Sequence, residues 1–202
     1  MILDQSDIHL WLSPAQGLST EEFLRHTLSH YLPLAPAQIR FARTDKGKPY
    51  LKDRRFNQLQ FNVSHSHGKI VCAVSLCQQI GVDIENIQRK NSLDEIAARY
   101  FHPDEIFTLQ SIKDEQERRR LFFTLWTCKE AYIKAIGLTI GTASLDKIAF
   151  SYRNNKVLPL YNTPVQLQWH FQTQAWGDYL IAIAIAHKAW RSIQPQLAIF
   201  EI

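Results

Sequence analysis

An α+β fold is predicted by three features of the sequence. Runs that alternate in polarity or are short and apolar gather in two groups, from "IRFAR" to "IGVDIENI" and from "LDKIAFSYRNNKV" to "GDYLIAIAIAH". Helical periodicity is concentrated elsewhere, above all in the long stretch "EQERRRLFFTLWTCKEAYIKAIG". Strands and helices do not alternate regularly, which argues against a doubly wound parallel sheet.

The elements follow in order. "DIHLWL" predicts a first strand, and "LSTEEFLRHTLSHYL" a helix with Ser19 as N-cap and Phe23, Leu24, Leu28, Tyr31 and Leu32 as its apolar stripe, ended by Pro33 and Pro36. "IRFAR" reads as a strand, "DKGKPYL" as a turn into an extended piece, and "LQFNVSHSHG" as a strand closed by a polar turn. "KIVCAVSL" and "IGVDIENI" are two further strands joined by "CQQ". Helices follow at "SLDEIAARYF", at "HPDEIFTLQSI" with Pro103 in the first turn, and in the long stretch ended by Gly137. The last third reads as strands joined by Asn-Asn and Gly-Asp turns. The order of elements places a boundary near Gln79, giving an N-terminal half of residues 1–79 and a C-terminal half of 80–202.

A length of 202 residues and a hydrophobic content of 46% suffice for a real core and exclude fibrous and disordered classes. The net charge of +4 favours acidic or phosphorylated partners. Arg118, Arg119 and Arg120 follow "KDEQE" and belong to a mixed-charge helix face, so no nucleic-acid partner is expected. The odd cysteine count, Cys72, Cys77 and Cys128 without a C-x-x-C pair, fits a reducing cytoplasm. The acids in "MILDQSDIHLW" do not fit a signal peptide, and "YLIAIAIA" is too short to span a bilayer, so no membrane partner is expected.

Four short stretches carry chemistry. In "GVDIE", alternation sends Ile80, Val82 and Ile84 to one face of a strand and Asp83 and Glu85 to the other. Such a pair is either a solvated acidic face or a seat for a hard cation such as Mg²⁺. In "LWTCKEAYIKAIG", Trp126, Glu130 and Lys134 share one helix face; Glu130 and Lys134 also have the spacing of an ordinary surface pair. Ser64 and His65 end the strand "FNVSHS", where they can meet a ligand or merely close a turn, and nothing supplies the further ligands of a zinc site. In "GKPYL", Gly47 and Pro49 hold Lys48 at the tip of a rigid turn that can face a phosphate.

Taken in order, "GKPYL", "FNVSHS", "GVDIE" and "FFTLWTCKEAYIKAIG" resemble the signature segments of the 4′-phosphopantetheinyl transferase superfamily, over roughly Ile39 to Phe150. "GVDIE" followed some forty residues later by W-x-x-K-E-A-Y-x-K is the specific part, and the length resembles the Sfp-type group, a monomer of two similar α+β halves with the site at their junction. The resemblance implies that Asp83, Glu85 and Glu130 hold Mg²⁺, or Mn²⁺ in its place, against the pyrophosphate of coenzyme A, and that Lys134 contacts that pyrophosphate. It implies that Lys48, Ser64 and His65 line the adenine and phosphate pocket. The implied reaction is attack by a serine of an apo acyl or peptidyl carrier protein on the β-phosphate, releasing 3′,5′-ADP, with Glu130 or Lys134 serving the proton transfer.

Two departures from that pattern bear on function. The basic stretch that usually precedes the first helix is missing, leaving Arg25, Arg40 and Arg43 as substitute cations. "LTIGTASLDKI" replaces the usual G-x-G-L continuation after Gly137. They motivate a second reading, a catalytically weak or inactive scaffold that binds coenzyme A or carrier proteins.

Overall fold

The computed structural model describes residues 1–14, 17–76, 79–90, 92–153, 156–160, 168–187 and 196–202. Cys77 and Gln78 of the expected "CQQ" connection, and the Asn154–Asn155 turn, lie outside the described residues. The protein is α+β, as its sequence predicts. The first sheet contains β1 (Asp7–Pro14), β4 (Leu59–Ser66), β5 (Lys69–Leu76) and β11 (Gln196–Glu201) in the order β11-β1-β5-β4. The second contains β6 (Gln79–Asn86), β9 (Gln168–Trp176) and β10 (Tyr179–His187) in the order β6-β10-β9. Two-stranded ribbons, β2 (Phe41–Arg43) with β3 (Pro49–Leu51) and β7 (Phe150–Arg153) with β8 (Lys156–Pro159), flank them.

The order β1-β5-β4 repeats as β6-β10-β9, and each set is built from a strand, a helical segment, a ribbon and a hairpin in that sequence. This internal correspondence is the pseudo-twofold arrangement. Each sheet carries its own helix: α1 (Thr20–Ser29) on the first and α4 (Glu115–Ala135) on the second, with α2 (Leu93–Tyr100) and α3 (Pro103–Ser111) beside α4.

Three apolar layers hold the stack. Phe23, Leu24 and Leu28 of α1 pack on Trp11, Phe61, Cys72 and Val74. Between the sheets, Ile8, Leu10, Leu12, Val71 and Ala73 meet Ile80, Val82, Ile84, Ile181, Ile183 and Ile185. Under α4 lie Ala182, Ala184 and Ala186 with Trp169 and Phe171. The run "IAIAIA" is thereby explained: isoleucines fill the inter-sheet layer, while alanines let the helix come close.

Local chemistry sets the ends of the elements. Ser19 and Glu22 form a reciprocal capping box on α1, and the helix stops at Ser29, ahead of Pro33. His102 caps α3 with Glu105 while Pro103 takes the first helical position. Helix α4 ends in a Schellman motif: Gly137 has φ of 74°, Leu138 N–H donates to the Ile133 carbonyl at 2.7 Å, and Gly137 N–H donates to the Lys134 carbonyl at 3.2 Å.

β11 was not anticipated from the sequence. It pairs in parallel with β1 at the sheet edge, and its Phe200 stacks on Trp11 with ring centroids 4.8 Å apart. Trp11 Nε1–H donates to the Tyr31 hydroxyl at 2.7 Å, and that hydroxyl is also hydrogen-bonded to His9 Nδ1 at 2.8 Å. Burial holds the pKa of His9 below its ordinary value, with Asp7 acting against it and the N-terminal charge adding to it.

Two predictions follow from this packing. A Cβ built on Gly81 would lie 2.0 Å from the Ala131 carbonyl oxygen and 2.5 Å from the Ala135 nitrogen, both backbone atoms. Gly81→Ala should therefore cost about 3 kcal/mol or more in denaturant unfolding, and an unchanged midpoint would refute the close approach. His9 is held neutral, so the unfolded chain binds its proton first, and this part of the stability, present above the unfolded value near 6.5, is lost as pH falls from there through the lower folded value. Amide protection of residues 196–201 should drop between pH 7 and pH 5, and His9→Gln should reduce that drop.

Candidate active site

Of the two readings left open for the acidic face of β6, the solvated one does not hold. Both faces of the strand are covered, one by the first sheet and the other by α4, and Asp83 and Glu85 are 3% and 7% exposed. The cause is Gly81, on the same face as the two acids, which lets α4 lie directly against the strand.

Across that contact α4 presents the face expected from its spacing. Trp126 Nε1–H donates to Glu85 Oε1 at 3.0 Å, Lys134 Nζ stands 2.5 Å from Asp83 Oδ1, and Lys134 Nζ lies 3.8 Å from Glu130 Oε2. Ligand-capable oxygens of Asp83, Glu85 and Glu130 all lie within 4.8 Å of one another. The sequence-predicted acids and Lys134 are thus brought to one place from two elements.

The first sheet supplies the third wall through β4. Leu59 and Phe61 turn into the core of their own sheet, while Asn62 and Ser64 face β6. Asn62 Oδ1 accepts from Val82 N–H at 3.0 Å, and Ser64 Oγ donates to Asp83 Oδ1 at 2.9 Å while accepting from Lys134 Nζ at 2.9 Å. His65 is exposed and faces the adjoining cavity. The chain turns back at His67 and Gly68, both at positive φ as a two-residue hairpin requires, and the Tyr179 hydroxyl donates to the His67 carbonyl at 2.9 Å.

The electrostatics follow from burial and crowding. Burial, and then Asp83, push Glu85 up, opposed by Arg89, by the Trp126 hydrogen bond and by Lys134. Glu130 is pushed up to about 8, by burial first and by Asp83 next. Burial alone would lower Lys134, but Asp83, Glu130 and Glu85 outweigh it and hold its pKa above the ordinary value.

Glu130 and Lys134 of this cluster line a cavity of about 580 Å³, while Asp83, Glu85 and Ser64 are not part of its lining and meet it only through them. Lys48, His65, Glu130 and Lys134 all line it, so residues from both sides of Gln79 share one hollow. Of the three arginines considered as substitute cations, Arg43 lines it, its guanidinium donating to the Gly47 carbonyl at 2.9 Å. Arg25 pairs with Glu21 at 2.6 Å, and Arg40 donates to the Ala37 and Ile39 carbonyls, so neither is directed there. Leu138, Thr139 and Ile140, from the departing segment after Gly137, form part of the wall.

Sequence reasoning missed Arg89 and Asn62, and it placed Trp126 on the right face without a role. Arg89 pairs with Glu85 at 2.9 Å from beyond the end of β6, Trp126 hydrogen-bonds a carboxylate, and Asn62 stitches β4 to β6. The alternation of β4 places Asn62 with Ser64 and so carried a signal for Asn62; nothing in the sequence marked Arg89. The basic run near the start of α4 is structural in part: Arg118 pairs with Asp94 at 3.2 Å, and Arg119 donates to the Ile87 and Arg89 carbonyls. No helix among the described residues is long and apolar enough to cross a membrane.

Comparison with known proteins bears on what this arrangement is. A family model described as the 4′-phosphopantetheinyl transferase superfamily matches residues 79–184, and one described as 4′-phosphopantetheinyl transferase, N-terminal, matches residues 16–78. The 4′-phosphopantetheinyl transferase HetI of a Nostoc species is 37% identical over 170 residues, which cover 83% of this chain and 69% of that protein. The 4′-phosphopantetheinyl transferase Sfp of Bacillus subtilis is 36% identical over 170 residues, 81% of this chain and 70% of that one. The 4′-phosphopantetheinyl transferase gsp of Aneurinibacillus migulanus is 35% identical over 152 residues, 72% of this chain and 61% of that one. Among solved structures, a holo-(acyl-carrier-protein) synthase from Bacillus anthracis in complex with CoA (3′,5′-ADP) aligns at a TM-score of 0.47 and 21% identity, over 55% of this chain and 96% of that one. With a family match across more than half of its length and relatives of this similarity, the chain belongs to the 4′-phosphopantetheinyl transferase superfamily.

Proposed function

We propose that this enzyme transfers the 4′-phosphopantetheine group of coenzyme A to a serine of an apo acyl or peptidyl carrier protein, with Mg²⁺ required, Mn²⁺ as a substitute, and 3′,5′-ADP released. The observation that carries the reading is the buried set of Asp83, Glu85 and Glu130 beside the Lys134 ammonium, with Glu130 and Lys134 lining one cavity.

The residues suit a hard divalent cation. All three donors are carboxylate oxygens, the ligand type Mg²⁺ prefers, and Asp83 Oδ2 is buried without a hydrogen-bond partner. An orphaned buried carboxylate oxygen is costly unless something positive completes it. Asp83, Glu85 and Glu130 would hold the ion, and when bound it would neutralise charge on the pyrophosphate oxygens.

The remaining tasks fall to side chains of the chain itself. Lys134 is 28% exposed to the cavity and presents its charge to the phosphoryl oxygens. Glu130, also at the cavity, takes the proton of the carrier serine, with Lys134 assisting. The serine Oγ bonds the β-phosphorus, the bond from that phosphorus to the bridging oxygen breaks, and the electron pair leaves with 3′,5′-ADP. His65 lines the cavity between the halves 1–79 and 80–202 and is the residue placed to meet the nucleotide; Ser64, expected there too, is instead bonded to Asp83 and Lys134 outside the lining, and Lys48 offers the wall its backbone and stem while its ammonium is held by the Ala135 and Ile80 carbonyls. Arg43 and Lys46, also on the wall, supply the positive charge that the shortened N-terminal segment lacks, which favours turnover over the scaffold reading.

Transfer of a labelled pantetheinyl group to a panel of apo carriers, with metal omitted as control, tests the reading; no transfer to any carrier at saturating coenzyme A and Mg²⁺ would overturn it. Asp83→Asn and Glu130→Gln should each lower turnover on the order of a hundredfold to a thousandfold while thermal unfolding shows an intact fold. Because Glu130 in the metal-free protein holds its proton up to about pH 8, a cation must displace that proton at neutral pH. Apparent metal affinity should rise with pH, by about tenfold per unit at most, and level off above 8. Calorimetry in buffers of different ionisation enthalpy counts the protons released; none at pH 7 would contradict the assignment.

A further inference from the structure

Lys48 stands apart from the other cations of the cavity. Its backbone is fixed by a tight turn: Gly47, with φ of 87°, donates its N–H to the Thr44 carbonyl at 2.8 Å, Thr44 N–H donates to the Lys48 carbonyl at 2.9 Å, and Lys48 N–H donates to Thr44 Oγ1 at 3.1 Å. From that turn the side chain runs along the cavity wall, but its ammonium is not directed at the hollow. Nζ donates to the Ala135 carbonyl at 2.8 Å and to the Ile80 carbonyl at 3.3 Å.

Those two carbonyls have a particular place in the fold. Ala135 is the last residue of α4, and the Schellman bonds of Gly137 and Leu138 satisfy the carbonyls of Lys134 and Ile133. The Ala135 carbonyl belongs to the group that a helix leaves without an internal donor, and Lys48 supplies one. The ammonium also sits at the negative end of the helix dipole. Ile80 adjoins Gly81, whose missing Cβ lets β6 touch α4 at Ala131 and Ala135. The single charge therefore bridges the two elements at the point of closest approach. These elements carry the carboxylates: Asp83 and Glu85 on β6, Glu130 with Lys134 on α4.

We propose that Lys48 is a positioning residue, whose ammonium ties β6 to the C-terminal end of α4 and thereby fixes Asp83 and Glu85 against Glu130 and Lys134. The inference rests on the reading of those carboxylates as the metal-holding set and gives it a support from the other half of the chain. Burial pushes the Lys48 pKa down to about 8, so at neutral pH the donor is still charged and both carbonyls accept from an ammonium. Replacing a supporting residue of this kind commonly weakens metal binding by about ten- to a hundredfold.

The test uses the whole chain as Lys48→Met, with Lys48→Arg as the variant that keeps donors and charge. Three quantities are read: Mn²⁺ affinity by electron paramagnetic resonance, coenzyme A affinity without metal by calorimetry, and hydrogen exchange of residues 134–138. Lys48→Met should weaken Mn²⁺ binding about tenfold, lower kcat with KM for coenzyme A within about twofold, and speed exchange in the last turn of α4. Lys48→Arg should recover part of each change. Unchanged Mn²⁺ affinity with weakened coenzyme A binding would overturn the proposal, because the ammonium would then act on the ligand itself. If Lys48→Met does not fold, Lys48→Gln, a neutral donor of similar length, takes its place with the same expectations. Wild-type protein that neither binds Mn²⁺ nor transfers the group would remove the metal reading alone. The exchange arm still decides the tether, and unchanged exchange in Lys48→Met, or in Lys48→Gln where it takes its place, would refute it.

Discussion

The close contact of β6 with α4 is the constraint on which the site depends. It exists because residue 81 has no side chain: any Cβ there would collide with helix backbone. Small residues continue the theme, with Ala182, Ala184 and Ala186 on the neighbouring strand and Ala131 and Ala135 on the helix. At this separation, side chains projecting from β6 two and four residues further on cannot reach solvent and must meet α4 instead. The same geometry that buries Asp83 and Glu85 thus brings them to Glu130 and Lys134, and crowding of like charge is a consequence of packing.

That crowding is only partly relieved within the protein. Three carboxylates face Lys134 and Arg89, so the fully ionised cluster keeps an excess of negative charge, and Asp83 Oδ2 has no hydrogen-bond partner. The two pKa shifts resolved among the acids, on Glu85 and Glu130, are both upward, as expected where burial and like charge oppose ionisation. Contrast the ion pair of Lys129 with Glu105 nearby, which is fully buried and fully answered. Lys129 Nζ lies 2.8 Å from Glu105 and also donates to the Leu145 and Ile148 carbonyls, while Glu105 accepts from Phe150 N–H at 2.9 Å and His102 N–H at 2.9 Å. One buried cluster is closed and holds α3, α4 and β7 together; the other is left open toward a cavity. The difference separates a pair whose charges are answered within the core from three carboxylates that keep an excess of negative charge beside a cavity.

Much of this was legible in the sequence because the two periods of regular structure do the sorting. Period two separated Ile80, Val82 and Ile84 from Asp83 and Glu85, and the helical period aligned Trp126, Glu130 and Lys134. Both groupings hold in the structure. The apposition of the two faces was not legible from periodicity, since it depends on Gly81 acting through a helix about fifty residues further along the chain. For the same reason alternation left open whether the acidic side of the strand meets solvent, and it proved buried. β11 escaped notice because a six-residue edge strand reads weakly, and its partner β1 is nearly two hundred residues away. Arg89 has no periodic relation to the strand it serves, and Lys48 announced a rigid turn without revealing where its ammonium ends.

Burying a lysine against two carbonyls and three carboxylates against each other opposes stability, and apolar residues of the same volume would hold β6 on α4 at less cost. The scaffold already has the means to do so. Isoleucines fill the inter-sheet layer on the far side of β6, and alanines already make close contact with α4. Polar groups collect instead at the one seam where β4, β6 and α4 meet, from Asn62 and Ser64 through Asp83 and Glu85 to Glu130 and Lys134. Like charges are crowded together there, whereas the buried charges of Lys129 and Glu105 answer one another, the pattern expected where a fold gives up stability for chemistry. Lys48 belongs to the same exception, since its charge lies at the mouth of that seam and closes a carbonyl that solvent or a capping glycine could have closed more cheaply. On the proposed reading of Lys48, a cation fixed in that position would keep the two walls of the seam at one separation, the preorganisation that seating a small ion between them would require.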